Sequence, residues 1–395
     1  MPQHDTYTDS FLQRKLNNPQ VRAFIVQTLV LAGLVWLVWA AVSNTARNLE
    51  QAGIASGFGF LNEPAGFDIS LTFIEYSRNS TYFSAYLVGL TNTLVMTAIC
   101  IVTSTAVGFA TAVFRLSPNW LMSRLAGAYV EVARNIPLLL LILFVYLALL
   151  SPLPGPRNAA SLYDIAFLCN RGLIIPKPVW QPGAWAMGLA LSLALLGTIF
   201  LARYARARQR RTGERLPVLW ISLAAFVLLP LAAWLVAGVP AHWSIPHLAG
   251  FNFQDGLTVL PEFLALCVAL TLYMGAFIGE NIRAGILAVP HGQIEAAAAL
   301  GLKSGRILRL VVIPQALRVI IPPVTSQYLT LAKNVSLGVV IGYPDIISIF
   351  AGTTLNQTGQ AVEVVAMTMA TYLVLSLGIS LFMNWYNARV AIREH

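Results

Sequence analysis

Residues His291–Arg318 read HGQIEAAAALGLKSGRILRLVVIPQALR. One glutamate precedes a run of alanines, a glycine stops the run, and a basic segment leads on to a proline. Alanine brings strong helix propensity and almost no side-chain bulk. Pro290 and Gly292 mark the start of a short helix, Glu295 falls near its first turn, where the helix dipole favours an anion, and Gly301 supplies a left-handed end. A second helix is expected to begin near Lys303–Ser304. The result is a bent pair of small, basic helices between apolar neighbours.

The neighbours decide the fold class. Charged residues are 10% of the 395-residue chain, against roughly 25% in soluble domains. Hydrophobic residues reach 57% and the mean hydropathy is +0.71. Uncharged runs of about 20 residues read as membrane-spanning helices, because in lipid only a helix or a closed barrel satisfies its own backbone. An all-α polytopic membrane protein with about eight transmembrane helices follows. Their expected positions are Ala23–Val42, a run within Asn79–Phe114, Tyr129–Leu150, Trp185–Ala202, Leu216–Ala237, Phe263–Gly279, Leu310–Ala332 and Val364–Ala388. The sixth is short in uncharged residues and should extend at its ends. The seventh is interrupted by Pro314 and broken at Pro322–Pro323. The polar start Met1–Gln20 and the length of the run after it fit an uncleaved first helix rather than a cleavable signal.

Charge orients the chain. With the N-terminus inside, eighteen Lys and Arg residues fall in cytoplasmic segments and five outside. That bias places both termini and the bent pair in the cytoplasm. The net charge of +9 therefore does not point to nucleic acid. The densest run, Arg203–Arg215, reads as a topology anchor touching anionic lipid headgroups. Cys100, Cys169 and Cys267 are widely spaced and form neither a metal motif nor a disulfide framework. The histidines (His4, His242, His247, His291, His395) are scattered, and no nucleophile–base set emerges, so no catalytic residue is assigned.

The spacing is more specific than the propensity. Glu295-Ala296-Ala297, then Gly301, then Val311-Val312-Ile313-Pro314 resembles the EAA signature of ABC importer permeases. The flanking GENIRAGILAVPHGQIEAAAALGL (Gly279–Leu302), VIPQALRVIIPP (Val312–Pro323) and KNVSLGVVIGYPDI (Lys333–Ile346) are similar to the polar amino acid, or histidine/glutamine permease, family. So are GLTNTLVMTAICIV (Gly89–Val102) and YVEVARNIPLLLLILFVYLAL (Tyr129–Leu149). Arg134-Asn135-Ile136-Pro137 stands where many members have Arg-Gly-Thr-Pro. The extra first helix, the enlarged middle and GFGFLNEPAGFDIS (Gly57–Ser70) most resemble the larger, Q-type permease subunit of general L-amino acid or glutamate/glutamine/aspartate/asparagine importers.

The resemblance implies a five-helix, MetI-like type I core with added elements. Residues 1–84 would hold the cytoplasmic N-terminus, the first helix and a periplasmic loop. Residues 85–150 and 256–395 would form the core, with the EAA coupling loop at 287–309 and an insert carrying two extra helices at 151–255. It implies a bacterial inner-membrane permease subunit of an ATP-driven importer for polar L-amino acids. The partners implied are a cytoplasmic ABC ATPase dimer, a second permease chain, related but different, and a periplasmic amino-acid-binding protein. No G-x-x-x-x-G-K-[ST] occurs in the sequence, so no phosphate-cradling loop is present. No cofactor or metal is expected on the chain, and ATP-Mg belongs to the partner ATPase.

Glu295, Ala296, Ala297, Gly301, Lys303, Arg306 and Pro314 are the ATPase-coupling candidates that the resemblance implies. Substrate-path candidates are the polar residues at membrane depth: Asn92, Thr93, Glu131, Arg134, Glu280, Ser326, Gln327, Lys333 and Asn334. Each also reads as a helix-packing group. Glu131 and Arg134 stand three apart, as do Glu280 and Arg283, so each pair reads equally as a local ion pair. Two other functions compete: an ion-coupled secondary amino acid transporter, and a membrane scaffold with no transport role.

Overall fold

A computed structural model of the chain describes residues 19–51, 57–180, 185–214, 216–236 and 241–390. Met1, His4, Arg14, Lys15, Arg215, Arg393 and His395, used above for topology or discounted as ligands, lie outside them. Among the described residues seven helices are long and apolar enough to cross a membrane, and an eighth crossing arises if one bent pair counts as a single span. The long helices are α1 (Pro19–Gln51), α2 (Tyr82–Arg115), α5 (Trp185–Thr212), α6 (Val218–Val236), α7 (Pro261–Leu287), α9 (Ile313–Asn334) and α10 (Ala361–Val390). The bent pair is α3 (Trp120–Asn135) and α4 (Leu138–Leu143, continued by a π segment Phe144–Leu150). The sixth expected span extends at both ends in α7, as anticipated.

The third expected span, Tyr129–Leu150, is not one straight helix. α3 starts on Asn119, whose Oδ1 accepts from the backbone N–H of Leu121 (3.0 Å) and Met122 (3.2 Å). It ends at Asn135, because Ile136 precedes Pro137 and is driven to extended backbone (φ −93°, ψ 133°). The two halves meet at 107°. Conversely, Pro322–Pro323 do not break α9, which runs helical through both. Proline's fixed φ suits a helix, and only the bonds to the carbonyls of Arg318 and Val319 are lost. The irregularity near Pro314 is a π segment, Leu308–Val312, just ahead of it. Pro314 has no N–H to return to Leu310, so the ladder widens there.

Contacts divide the chain into two compact units, one from Met1–Leu94 and Pro344–Leu381, the other from Val95–Tyr343 and Phe382–His395. In the first, the loop after α1 packs onto the start of α2. Phe60, Ala65, Tyr82, Ala85 and Val88 share a core with Ile346, Ile349, Phe350 and Val364. The Tyr86 ring meets Phe350 edge-on at 5.1 Å. Gly89 lets the chain pass closely, since a Cβ there would sit 2.9 Å from Ile346 Cα. Fully buried Asp345 caps the segment that follows, its Oδ1 accepting from Ser348 N at 2.8 Å.

In the second unit, α7 is the central helix, with Ala265, Leu266, Ala269, Leu270, Met274, Ala276 and Ile278 fully buried. Small residues let α2 approach it: a Cβ on Gly279 would lie 2.9 Å from Gly108 O. Polar bonds add to this packing. Thr103 and Thr271 hydroxyls are 2.6 Å apart, and Tyr129 Oη donates to Leu272 O at 2.5 Å. In lipid such bonds contribute about 0.6 kcal/mol each.

The all-α reading misses a small β element. Strands β1 (Ala160–Leu162), β2 (Ala166–Cys169), β3 (Gly172–Ile175) and β8 (Leu257–Val259) form one antiparallel sheet in that order. β4 (Lys177–Trp180) pairs with β5 (Ala241–Ser244), and β6 (His247–Ala249) pairs with β7 (Asn252–Gln254). The pairings Leu173↔Val259 and Lys177↔Ser244 clasp the insert at its base. Beyond the clasp, α5 and α6 pack against each other as a hairpin. The strands are only three or four residues long, too short to show an alternating pattern in sequence.

Candidate functional site

Two places bring the candidates together. The first is the stretch that opened the sequence reading. Helix α8 spans His291–Ala299, starting directly after Pro290. Glu295 is therefore its fifth residue and not in its first turn, contrary to the sequence expectation. The reason is that Pro290 (ψ 132°) lets the helix begin at once. The other end is as expected. Gly301 is left-handed (φ +76°), Leu302 N donates to Ala297 O (3.3 Å) and Gly301 N to Ala298 O (2.9 Å). These two bonds make a Schellman end, closed by the apolar contact that usually accompanies it. Ala297, Ile307, Val312 and Ala316 are buried together there, with Ile294 and Leu302 against them.

The helix thus has two faces. Ala297 points inward, while Glu295 and Ala296, two and one residues before it, are exposed. Both alanines are coupling candidates in the sequence, but 100° of rotation per residue turns only Ala296 outward. Lys303 and Arg306 are exposed and Pro314 is half-buried. Leu300, which sequence did not single out, is 82% exposed at the end of the alanine run.

The second place is a charged pocket of about 410 Å³ in the second unit, lined by Arg115, Glu131, Arg134, Asn135, Phe277 and Glu280 among others. Glu280 does pair with Arg283, Oε1 accepting from Nη2 at 2.6 Å. It also binds Arg115 at the end of α2, a partner 165 positions away that sequence did not foresee. Glu131 and Arg134 do not pair. The Arg134 guanidinium lies over the Phe277 ring, 5.3 Å from its centroid. The Asn135 side chain turns back onto Glu131 O at 2.7 Å, satisfying a carbonyl at the helix break.

The remaining candidates are elsewhere. Asn92 Nδ2 donates to Leu71 O (2.9 Å) and Pro344 O (2.8 Å), and Thr93 Oγ1 accepts from Ile346 N at 3.1 Å. Both residues are fully buried and serve the packing of the first unit. Ser326, Gln327, Lys333 and Asn334 lie along the second half of α9, and none lines the charged pocket. Among the described residues no group of three His, Cys, Asp or Glu is arranged to hold a metal ion.

Comparison with known proteins bears directly on this architecture. Residues 194–392 match the family model described as the binding-protein-dependent transport system inner membrane component. YhdX of Escherichia coli K12, named as an amino-acid ABC transporter permease, is 50% identical over 95% of this chain and 96% of its own. AapQ of Rhizobium johnstonii, a general L-amino acid transport system permease, is 48% identical over 95% of this chain and 94% of its own. BztB of Rhodobacter capsulatus, a glutamate/glutamine/aspartate/asparagine transport system permease, is 40% identical over 94% and 93%. The chain belongs to the binding-protein-dependent inner-membrane permeases of ABC importers. It is a multi-pass transport subunit, which sets aside the secondary transporter and the scaffold.

Proposed function

We propose that this chain is the larger permease subunit of an ATP-driven importer of polar L-amino acids, coupled to ATP hydrolysis through α8. The exposed Glu295–Ala296 face, held at a fixed angle by the left-handed Gly301, is the observation that carries this reading. A separate ABC ATPase seats against that face. Its small side chains permit close approach, Leu300 offers an apolar contact, and Lys303 and Arg306 pair with acidic groups on the partner. ATP and its Mg²⁺ stay on the ATPase, and this chain holds no cofactor. The names of AapQ and BztB support the substrate class. A related second permease chain and a periplasmic binding protein complete the assembly. The excess of basic residues in one set of connections supports cytoplasmic termini. The end of α5, with exposed Arg208 near Glu214 (2.7 Å), rests on anionic lipid headgroups.

The test is coupling. Glu295→Lys and Gly301→Asp should abolish ATP-dependent amino acid uptake in proteoliposomes and weaken co-purification of the ATPase, while the bundle still inserts. Wild-type uptake by both variants would remove α8 from the coupling path.

A further inference from the structure

We infer that Cys100 and Cys267 are a peroxide-oxidisable thiol pair, with Cys267 the sulfur that attacks peroxide and Cys100 the thiol that resolves it into a disulfide stapling α2 to α7. The inference stands apart from the transport reading and concerns two residues that reading leaves without a role.

Spacing in the sequence pairs none of the three cysteines, but the fold brings two of them together. Helices α2 and α7 run side by side in register. The Thr103 and Thr271 hydroxyls are 2.6 Å apart. One turn further along both helices, a Cβ on Gly275 would lie 2.9 Å from Val107 Cγ1. One turn back, three residues before Thr103 and four before Thr271, stand Cys100 and Cys267. The same seam therefore turns each thiol toward the other helix, and a hydrogen bond joins them.

This geometry suits a disulfide. Cysteine Sγ and threonine Oγ1 occupy the same place in their side chains. One turn away, two such γ atoms already approach to 2.6 Å, against about 2.0 Å for an S–S bond. Helices this close leave little backbone movement to make before the bond closes. Cys169 has no part in the pair, since it lies in β2 opposite Gly172, outside the seam.

Exposure assigns the roles. Cys267 is half-buried, whereas Cys100 is fully buried, with Met96 Sδ 3.5 Å from its sulfur. Peroxide is small and uncharged, and it meets Cys267 first. The Cys267 sulfur attacks one peroxide oxygen, the O–O bond breaks, and the departing oxygen takes the thiol proton and leaves as water. Cys267 then carries a sulfenic acid. The Cys100 sulfur attacks the Cys267 sulfur, the S–O bond breaks, and that oxygen leaves as a second water with the Cys100 proton. The two thiols together give up two electrons, and one peroxide takes them.

The test treats membrane vesicles carrying the assembled permease with hydrogen peroxide, blocks remaining thiols with N-ethylmaleimide, and digests the denatured protein without reductant for mass spectrometry. A linked Cys100–Cys267 peptide pair is expected, lighter than its parts by two hydrogen atoms and separated by dithiothreitol, with Cys169 still a free thiol. Cys100→Ala should lose the link and leave Cys267 as a sulfenic acid that dimedone traps. Cys267→Ala should lose the link with Cys100 unoxidised. Cys100→Ser and Cys267→Ser, which keep a hydrogen-bonding γ atom, carry the test if an alanine variant fails to insert. Wild-type protein in which both thiols stay reduced, or end as separate oxidised acids, overturns the pair, as does a link that includes Cys169. Dimedone on Cys100 in Cys267→Ala overturns the roles assigned to the two sulfurs.

Discussion

Arg115, the last residue of α2, reaches across to Glu280, in the last third of α7, where Arg283 already holds the same carboxylate. The side chains of all three are less than a third exposed. One anion between two cations ties helix α2 to α7, with most of each side chain out of water.

Removing both partners should therefore cost less than the two single losses added together. Arg115→Ala or Glu280→Gln should each lower stability, by up to about 3 kcal/mol for Glu280→Gln, which strands two cations. The double variant should fall short of the sum, because the sites share one bond. Thermal unfolding of the detergent-solubilised protein checks both statements, and strict additivity would show the pair to be idle.

Close helix approach gives a second test. A Cβ on Gly279 would meet backbone, Gly108 O at 2.9 Å, whereas a Cβ on Gly127 meets nothing within 4 Å. Gly279→Ala should cost about 1–3 kcal/mol through forced helix separation. Gly127→Ala should be neutral or stabilise α3 by up to about 1 kcal/mol. Equal melting temperatures for the two variants would argue against this packing.

The bend after α8 should respond to backbone conformation alone. Nothing lies within 4 Å of a Cβ on Gly301, yet its φ is +76°. Gly301→Ala should cost about 1–2 kcal/mol of strain, and Gly301→Asn less, because Asn tolerates the left-handed region. If the bend couples ATPase to transport, uptake rates should follow the order Gly, Asn, Ala.

Asp345 supplies a pH dependence. It lies in the connection between the last two spans. Burial pushes its pKa from the ordinary 3.8 up to about 7, against the opposing bonds from Ser348 and Ile347 N–H groups. A raised folded pKa means that stability is full below pH 3.8, is lost as pH climbs through about 7, and is then constant. Asp345→Asn keeps a side-chain oxygen for the cap and cannot ionise. The variant should melt higher than wild type above pH 7 and lose the slope between pH 4 and 7. A wild type whose melting temperature rises across that window would contradict the assignment.

Much of this protein is local, and what is local was readable. Uncharged runs gave the spans, since a lipid-facing helix must be apolar along its whole length. The alanine run and its glycine gave α8 and its bend, because propensity and a left-handed φ are properties of one short segment. The break at Pro137 also had a local signal, but the pair Pro322–Pro323 was louder. Proline reports a lost donor and a fixed φ, not whether the helix gives way.

The site itself was only half visible. Glu131, Arg134 and Glu280 stood out as charges in apolar sequence, but spacing paired Glu131 with Arg134, and the fold does not. Asn92 and Thr93 looked like substrate contacts until their partners proved to be backbone groups some 250 positions away, the distances along the chain being 252 and 253.

By itself, then, the sequence determined the membrane class, the apolar runs that become spans and the bent helix pair with its left-handed glycine, all of which depend on hydropathy, propensity or one dihedral. Only the tertiary structure decided which charge meets which, which polar groups are committed to packing and where a span turns. Those outcomes depend on atoms distant in the chain being brought within about 3 Å, the range over which hydrogen bonds act.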